Sequence, residues 1–211
     1  VLTGVLCAVP AAWAEGLHMG LTPEVLLQVE SEHGAPARDR LEDMLALIRD
    51  AAGADERTRI ERVNAFFNAL PYRADADLWG RDDYWAGPVQ MLTASGGDCE
   101  DYAIAKYFVL RELGIPVARL RILYVKSLRH RKSHMVLAYY EEGAAAPLLL
   151  DSLTDRIQSA RERTDLVPAY SFNHDSLWIA LPGLEERRVG GAERVGPWLQ
   201  LRDGGGLKTR S

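Results

Sequence analysis

The chain has 211 residues, 47% of them hydrophobic and 26% charged, with a formal net charge of −5. Those values describe one globular domain with a core of its own. They argue against nucleic-acid binding, because the only basic run, Arg129-His130-Arg131-Lys132, is short, lacks interleaved aromatics and reads as a solvated loop between strands.

Residues Val1 to Ala14 carry no charge and pass from an apolar run to Ala12-Trp13-Ala14, a small-x-small pattern. They read as a signal peptide truncated at its start, with cleavage expected before Glu15; the plainer alternative is a short buried helix. Cys7 lacks the preceding small residues of a lipid-acceptor site. No later apolar stretch approaches the ~20 residues that span a bilayer, so the mature protein is expected to be exported and soluble. The expected division is 1–14 signal segment, 15–201 a single domain, and 202–211 a flexible, glycine-rich tail.

Helical spacing covers Pro36 to Ala52 and then Asp55 to about Leu70, where Pro71 stops it. An aromatic, turn-rich stretch from Leu78 to Pro88 follows, then a short helix over Val89 to Ala94. A central helix is predicted from Cys99 to Leu113, ended by Gly114 and Pro116. Beyond it the period changes. Strands are predicted at Val117–Lys126, His134–Tyr140, Ala146–Leu150 and Leu177–Ala180, with another after Gly183. Helices first and an antiparallel sheet second make an α+β fold, with Cys99 at the junction.

If Cys7 is removed with the signal segment, Cys99 is the one cysteine left and has no partner for a disulfide. A free thiol in an oxidising compartment needs a reason. A helix N-terminus supplies one, since its orphan N–H groups favour a thiolate and can hold an oxyanion beside it. The nucleophile then needs a base, and the base an orienter. Among five histidines (His18, His33, His130, His134 and His174), only His134 opens an apolar strand. A lone histidine there is usually a packing residue. Asp151 changes the reading, because it ends the next strand and antiparallel pairing would bring it beside His134. Cysteine on a helix start facing His and Asp from neighbouring strands is the papain-type layout.

Asp98, Glu100 and Asp101 crowd this cysteine. As helix cap and first-turn acids they are ordinary, but their charge opposes a thiolate. A bound cation would resolve that, and three hard oxygens suit calcium better than zinc. Asp98 and Glu100 are the stronger expected ligands, and Asp101 the weaker because it also fits a cap. Trp79, Tyr84 and Trp85 fit either a substrate-groove wall with an indole donor or aromatic core.

The strings GDCEDYAIAKYFVLRELGIP (97–116), RILYVK (121–126), SHMVLAYY (133–140), PLLLDSLTDRI (147–157), TDLVPAYSFN (164–173) and DDYWAGPVQML (82–92) together resemble the bacterial transglutaminase-like cysteine proteinases of the LapG type. The resemblance covers roughly Glu56 to Trp178. It implies a papain/transglutaminase-like fold with Cys99 as nucleophile, His134 as base and Asp151 as orienter. It also implies calcium beside the cysteine and a periplasmic location. The implied substrate is the N-terminal region of a large surface adhesin, whose cleavage releases a biofilm, and the implied inhibitor is an inner-membrane receptor for cyclic-di-GMP. Two other readings keep the fold: an amine acceptor would make a transglutaminase, and a module without catalysis would only bind.

Overall fold

A computed structural model describes residues 18–182 and 185–203; the expected signal segment, Cys7 and the tail from 204 onward lie outside them. Seven helices and one sheet of seven strands make up the described residues, apart from short 3-10 turns.

Helix α1 (Pro23–His33) starts where the Thr22 side chain accepts the Val25 N–H at 3.3 Å. No helix is expected here from the sequence, because Val25, Leu26, Leu27 and Val29 cluster in one short run without a sustained helical spacing, and Val29 alone is fully buried. Helices α2 (Ala35–Ala51) and α3 (Glu56–Asn68) fall within two residues of their predicted bounds. The apolar stripe of α2 (Leu41, Met44, Leu45, Ile48) is buried as its spacing requires. Asp55 caps α3 by accepting the Thr58 N–H at 2.8 Å. Short α4 (Asp75–Trp79) and α5 (Pro88–Ala94) lead to α6 (Cys99–Glu112), the central helix.

Residues on all sides of α6 are buried, from Asp101 through Tyr107 to Leu110. It packs on α3 and α5 on one side and on the sheet on the other. The sheet is antiparallel throughout, in the order β4-β3-β2-β1-β5-β6-β7. Its strands are β1 (Leu120–Ser127), β2 (Lys132–Tyr139), β3 (Leu148–Asp151), β4 (Thr154–Ser159), β5 (Leu166–Phe172), β6 (Ser176–Ala180) and β7 (Glu186–Gly191). Alternation splits β2 between two cores: Met135, Leu137 and Tyr139 join the helices, while Val136 and Ala138 join Leu123, Val125 and Leu149 in the second. The predicted first strand begins three residues late, because Val117–Arg119 forms a 3-10 turn. Strands β4 and β5 were not predicted. The polar TDRIQS of β4 does not alternate, and Pro168 interrupts β5 at a register shift opposite Val125. The basic run is the turn of the β1–β2 hairpin, as expected, with Lys132 opening β2.

The C-terminal end departs most from expectation. Gly196–Asp203 forms helix α7, and its Trp198 is fully buried. The indole N–H donates to the Asn173 carbonyl at 2.9 Å, and the ring meets Tyr107 edge-on at 5.2 Å. Arg202, expected to begin the flexible tail, belongs to this helix and donates to the His174 carbonyl at 3.2 Å.

Candidate active site

Two glycines place Cys99. Gly96 has φ +136°, and a Cβ there would sit 2.3 Å from the Pro71 carbonyl oxygen. A Cβ on Gly97 would meet Asp101 Oδ2 at 2.4 Å. Without side chains the segment lies against Tyr72 in a parallel bridge, and Gly97 C=O accepts the Arg73 N–H at 2.8 Å. Asp101 folds back beneath it. Its Oδ1 accepts the Ala86 N–H at 2.7 Å and its Oδ2 the Asp98 N–H at 3.3 Å, which fixes the start of α6.

Cys99 is half-buried and opens α6 as predicted. Its thiol donates to Glu100 Oε2 at 3.0 Å. Burial, then Glu100 and Asp98, push the thiol well above its ordinary pKa; the backbone N–H of Met135 works the other way.

On the far wall, β2 and β3 pair with Leu137 opposite Leu150, so the start of one lies near the end of the other. His134 Nε2 lies 2.7 Å from Asp151 Oδ1, and both side chains are buried. The Leu153 N–H also donates to Oδ1, at 2.9 Å. Arg163 Nη1 stands 2.8 Å from Oδ2, close enough for an ion pair but not aligned as a hydrogen bond. Arg163 is itself held by Asp165 through two hydrogen bonds, at 2.9 and 3.0 Å. Burial would raise the Asp151 carboxyl, but His134, the Leu153 N–H and Arg163 outweigh it and hold the group down to about 2. Asp151 is therefore a carboxylate at neutral pH. With Nε2 committed to it, His134 keeps Nδ1 for the cleft.

That cleft, of about 790 Å³, is lined by Cys99 and His134 together with Trp85, Tyr124, Tyr170 and Pro197. Tyr124 and Tyr170 stack at 4.9 Å, and Trp85 stacks on Phe172 at 5.8 Å. Of the three aromatics considered for the groove wall, Trp85 alone is in this lining; Trp79 and Tyr84 line separate hollows. The Trp85 indole N–H donates to Asp83 Oδ1 at 3.0 Å, which favours the groove-wall alternative over the indole donor.

The carboxylates beside Cys99 extend further than the sequence reading went. Ligand oxygens of Asp75, Asp83 and Glu100 lie within 4.8 Å of one another, as do those of Asp75, Asp98 and Asp101. Asp75 is buried, and its Oδ2 accepts the Tyr84 N–H at 2.5 Å. Asp75 Oδ1 and Asp98 Oδ1 are buried without a hydrogen-bond partner. Such oxygens are rare in a finished interior and fit a hard cation. Burial raises Asp75 to about 6. Burial, then Glu100, raises Asp98 to about 8. Burial also holds Asp101 well above its ordinary value. Asp101 reaches the cluster, but both its oxygens already receive backbone N–H groups. Asp75 lies 23 residues before Asp98, outside any short motif. Only the density of aspartates over Asp75–Asp83 could have pointed to it.

A family model for bacterial transglutaminase-like cysteine proteinases matches residues 45–185. The chain belongs to that family. Among solved structures, LapG of Legionella pneumophila is 37% identical, covering 86% of this chain and 96% of its own, with a TM-score of 0.75 for both the EGTA-treated and another form (95% of its own in the latter). The calcium-bound form of that protein has 37% identity and a TM-score of 0.73, covering 85% and 97%. No curated protein sequence is significantly similar. Family membership makes the chain a cysteine proteinase of transglutaminase-like fold. The α+β reading with Cys99 at a helix start against an antiparallel sheet is borne out. No described helix is long and apolar enough to cross a membrane.

Proposed function

We propose that this proteinase is a calcium-dependent periplasmic endopeptidase using Cys99, His134 and Asp151, and that it cuts the N-terminal retention region of a large surface adhesin to release a biofilm. The observation that carries the reading is the His134 Nε2–Asp151 Oδ1 contact of 2.7 Å across the cleft from Cys99. Asp151 sets the imidazole's orientation and stabilises its cation. His134 Nδ1 takes the thiol proton as Sγ attacks the scissile carbonyl, and returns it to the leaving amine. Cys99's own N–H, in the first turn of α6 and so outside the intrahelical ladder, stabilises the developing oxyanion. Water then hydrolyses the thioester, with His134 again the base.

In the described geometry the thiol donates its hydrogen bond to Glu100, not to His134. Asp75, Asp83, Asp98 and Glu100 would hold calcium, which the Legionella relative binds, and the ion would supply neutralising charge there. With Glu100 so engaged, the Cys99 thiol would be left to His134 as its base. The cleft's stacked aromatic wall receives an extended peptide with small residues at the cut. An inner-membrane receptor for cyclic-di-GMP holds the enzyme inactive by covering this aromatic surface.

The test is incubation of purified protein with the N-terminal fragment of the organism's large adhesin, with calcium or with EGTA, read by mass spectrometry. One dominant calcium-dependent cut, lost in Cys99→Ala, is the expected result. Full cleavage by Cys99→Ala would end the triad reading, and many cuts at bulky residues would end the specificity reading.

A further inference from the structure

Seven residues beyond Cys99, two turns along α6, a lysine sits where an apolar side chain would cost less. Lys106 is fully buried. Its Nζ donates to two neutral acceptors, Asn64 Oδ1 at 2.8 Å and Asn68 Oδ1 at 2.7 Å, both on α3. With their oxygens turned to the lysine, both amides point their NH2 groups at the β3–β4 hairpin. Asn68 Nδ2 lies within hydrogen-bond reach of the Asp151 carbonyl at 3.0 Å, the Thr154 carbonyl at 3.2 Å and Asp155 Oδ1 at 3.0 Å. Asn64 Nδ2 donates to the Asp155 carbonyl at 3.2 Å. The hairpin that carries Asp151 is thus tied to the helix that carries Cys99 by two amides whose orientation one buried lysine dictates.

We propose that Lys106 is a positioning residue: through Asn68 and Asn64 it fixes the β3–β4 turn and so holds Asp151 in register with His134. Burial pushes the lysine down to about 7 against the opposing charges of Asp151 and Asp155, a cost that a residue kept only to fill space would not carry. The proposal rests on the triad reading above, since it concerns the placement of its third member.

Initial-rate kinetics on the adhesin fragment, with calcium present, separate the possibilities. Lys106→Met removes the donors, Lys106→Gln keeps an amide donor without charge, and Asn68→Ala cuts the tie to the Asp151 carbonyl while leaving Asn64 for the lysine. The expected result is a fall in kcat on the order of 10- to 100-fold for Lys106→Met and Asn68→Ala with KM unchanged. Lys106→Gln should recover most of it, and Lys106→Met should add little to the loss already caused by Asp151→Asn. Wild-type kcat in folded Lys106→Met and Asn68→Ala, alongside a large loss in Asp151→Asn, would overturn the proposal and leave the triad standing. Full kcat in Asp151→Asn would instead sink the triad. Should Lys106→Met fail to fold, Asn68→Ala, a substitution near the end of a helix, decides the matter alone.

Discussion

The two walls of the cleft are built on opposite electrostatic plans. On the His134 wall each charge has a counterpart: Asp151 is met by the imidazole, the Leu153 N–H and Arg163, and its carboxyl is held down to about 2. On the Cys99 wall, among the described residues, Asp75, Asp98, Glu100 and Asp101 crowd together, and Asp75 and Asp98 are pushed up to about 6 and 8. One wall is complete as folded. The other carries unopposed negative charge, and the nucleophile stands on that wall. The imbalance lies where the proposed calcium would sit.

The largest expected effect separates the walls by activity. His134→Ala should reduce cleavage to background, and Asp151→Asn should lower kcat on the order of 10²- to 10⁴-fold, because the imidazole loses its orienter and counter-charge. Calorimetry should find calcium binding intact in both, since neither belongs to the acidic wall. Loss of calcium affinity in Asp151→Asn would show that the walls are not independent.

Next in size are changes to the acidic wall. EGTA should abolish cleavage and calcium restore it, while magnesium should substitute poorly because it demands a tight octahedral shell. Asp75→Asn and Glu100→Gln should each weaken calcium binding by at least about tenfold. Asp75 is the sharper case, as it touches no reacting group and so should leave activity at saturating calcium close to wild type. Unchanged affinity in Asp75→Asn would remove it from the ligand set.

The smallest effect is on stability against pH, and its sign differs between the walls. Asp98 and Asp75 hold their protons more tightly folded than unfolded. In chelated protein the stability they contribute is present below about pH 4 and lost as pH rises through 6 to 8. Asp151 does the reverse: its contribution is present above about pH 4 and lost as pH falls toward 2. Thermal melts with EGTA should therefore drop between pH 5 and 8, and calcium should flatten that drop. An identical profile with and without calcium would contradict the account.

What could be read from the sequence was local or periodic. The start of α6 at Cys99, the stripes of α2 and α3, and the pairing of β2 with β3 all lie in short spans where spacing fixes neighbours. The His134–Asp151 contact followed from that pairing. The rest depends on contacts between distant segments or on polar residues. Asp75 reaches the site from across a turn-rich stretch, Arg163 arrives from the β4–β5 connection, and Asn68 is a polar residue that the apolar spacing of α3 does not single out. Trp198 gave no sign that a glycine-flanked helix would close the core. Trp79 and Trp85 look alike in sequence, and only packing sends one into the cleft and the other away from it.

The central claim is that the acidic wall suppresses the nucleophile until a cation neutralises it. The direct measurement is the rate of Cys99 alkylation by iodoacetamide across pH, with saturating calcium and with EGTA. The account predicts a thiol with a high apparent pKa and slow alkylation at neutral pH in EGTA, and a clearly lower apparent pKa with calcium. Superimposable profiles in the two conditions, with calcium shown to be bound, would contradict it.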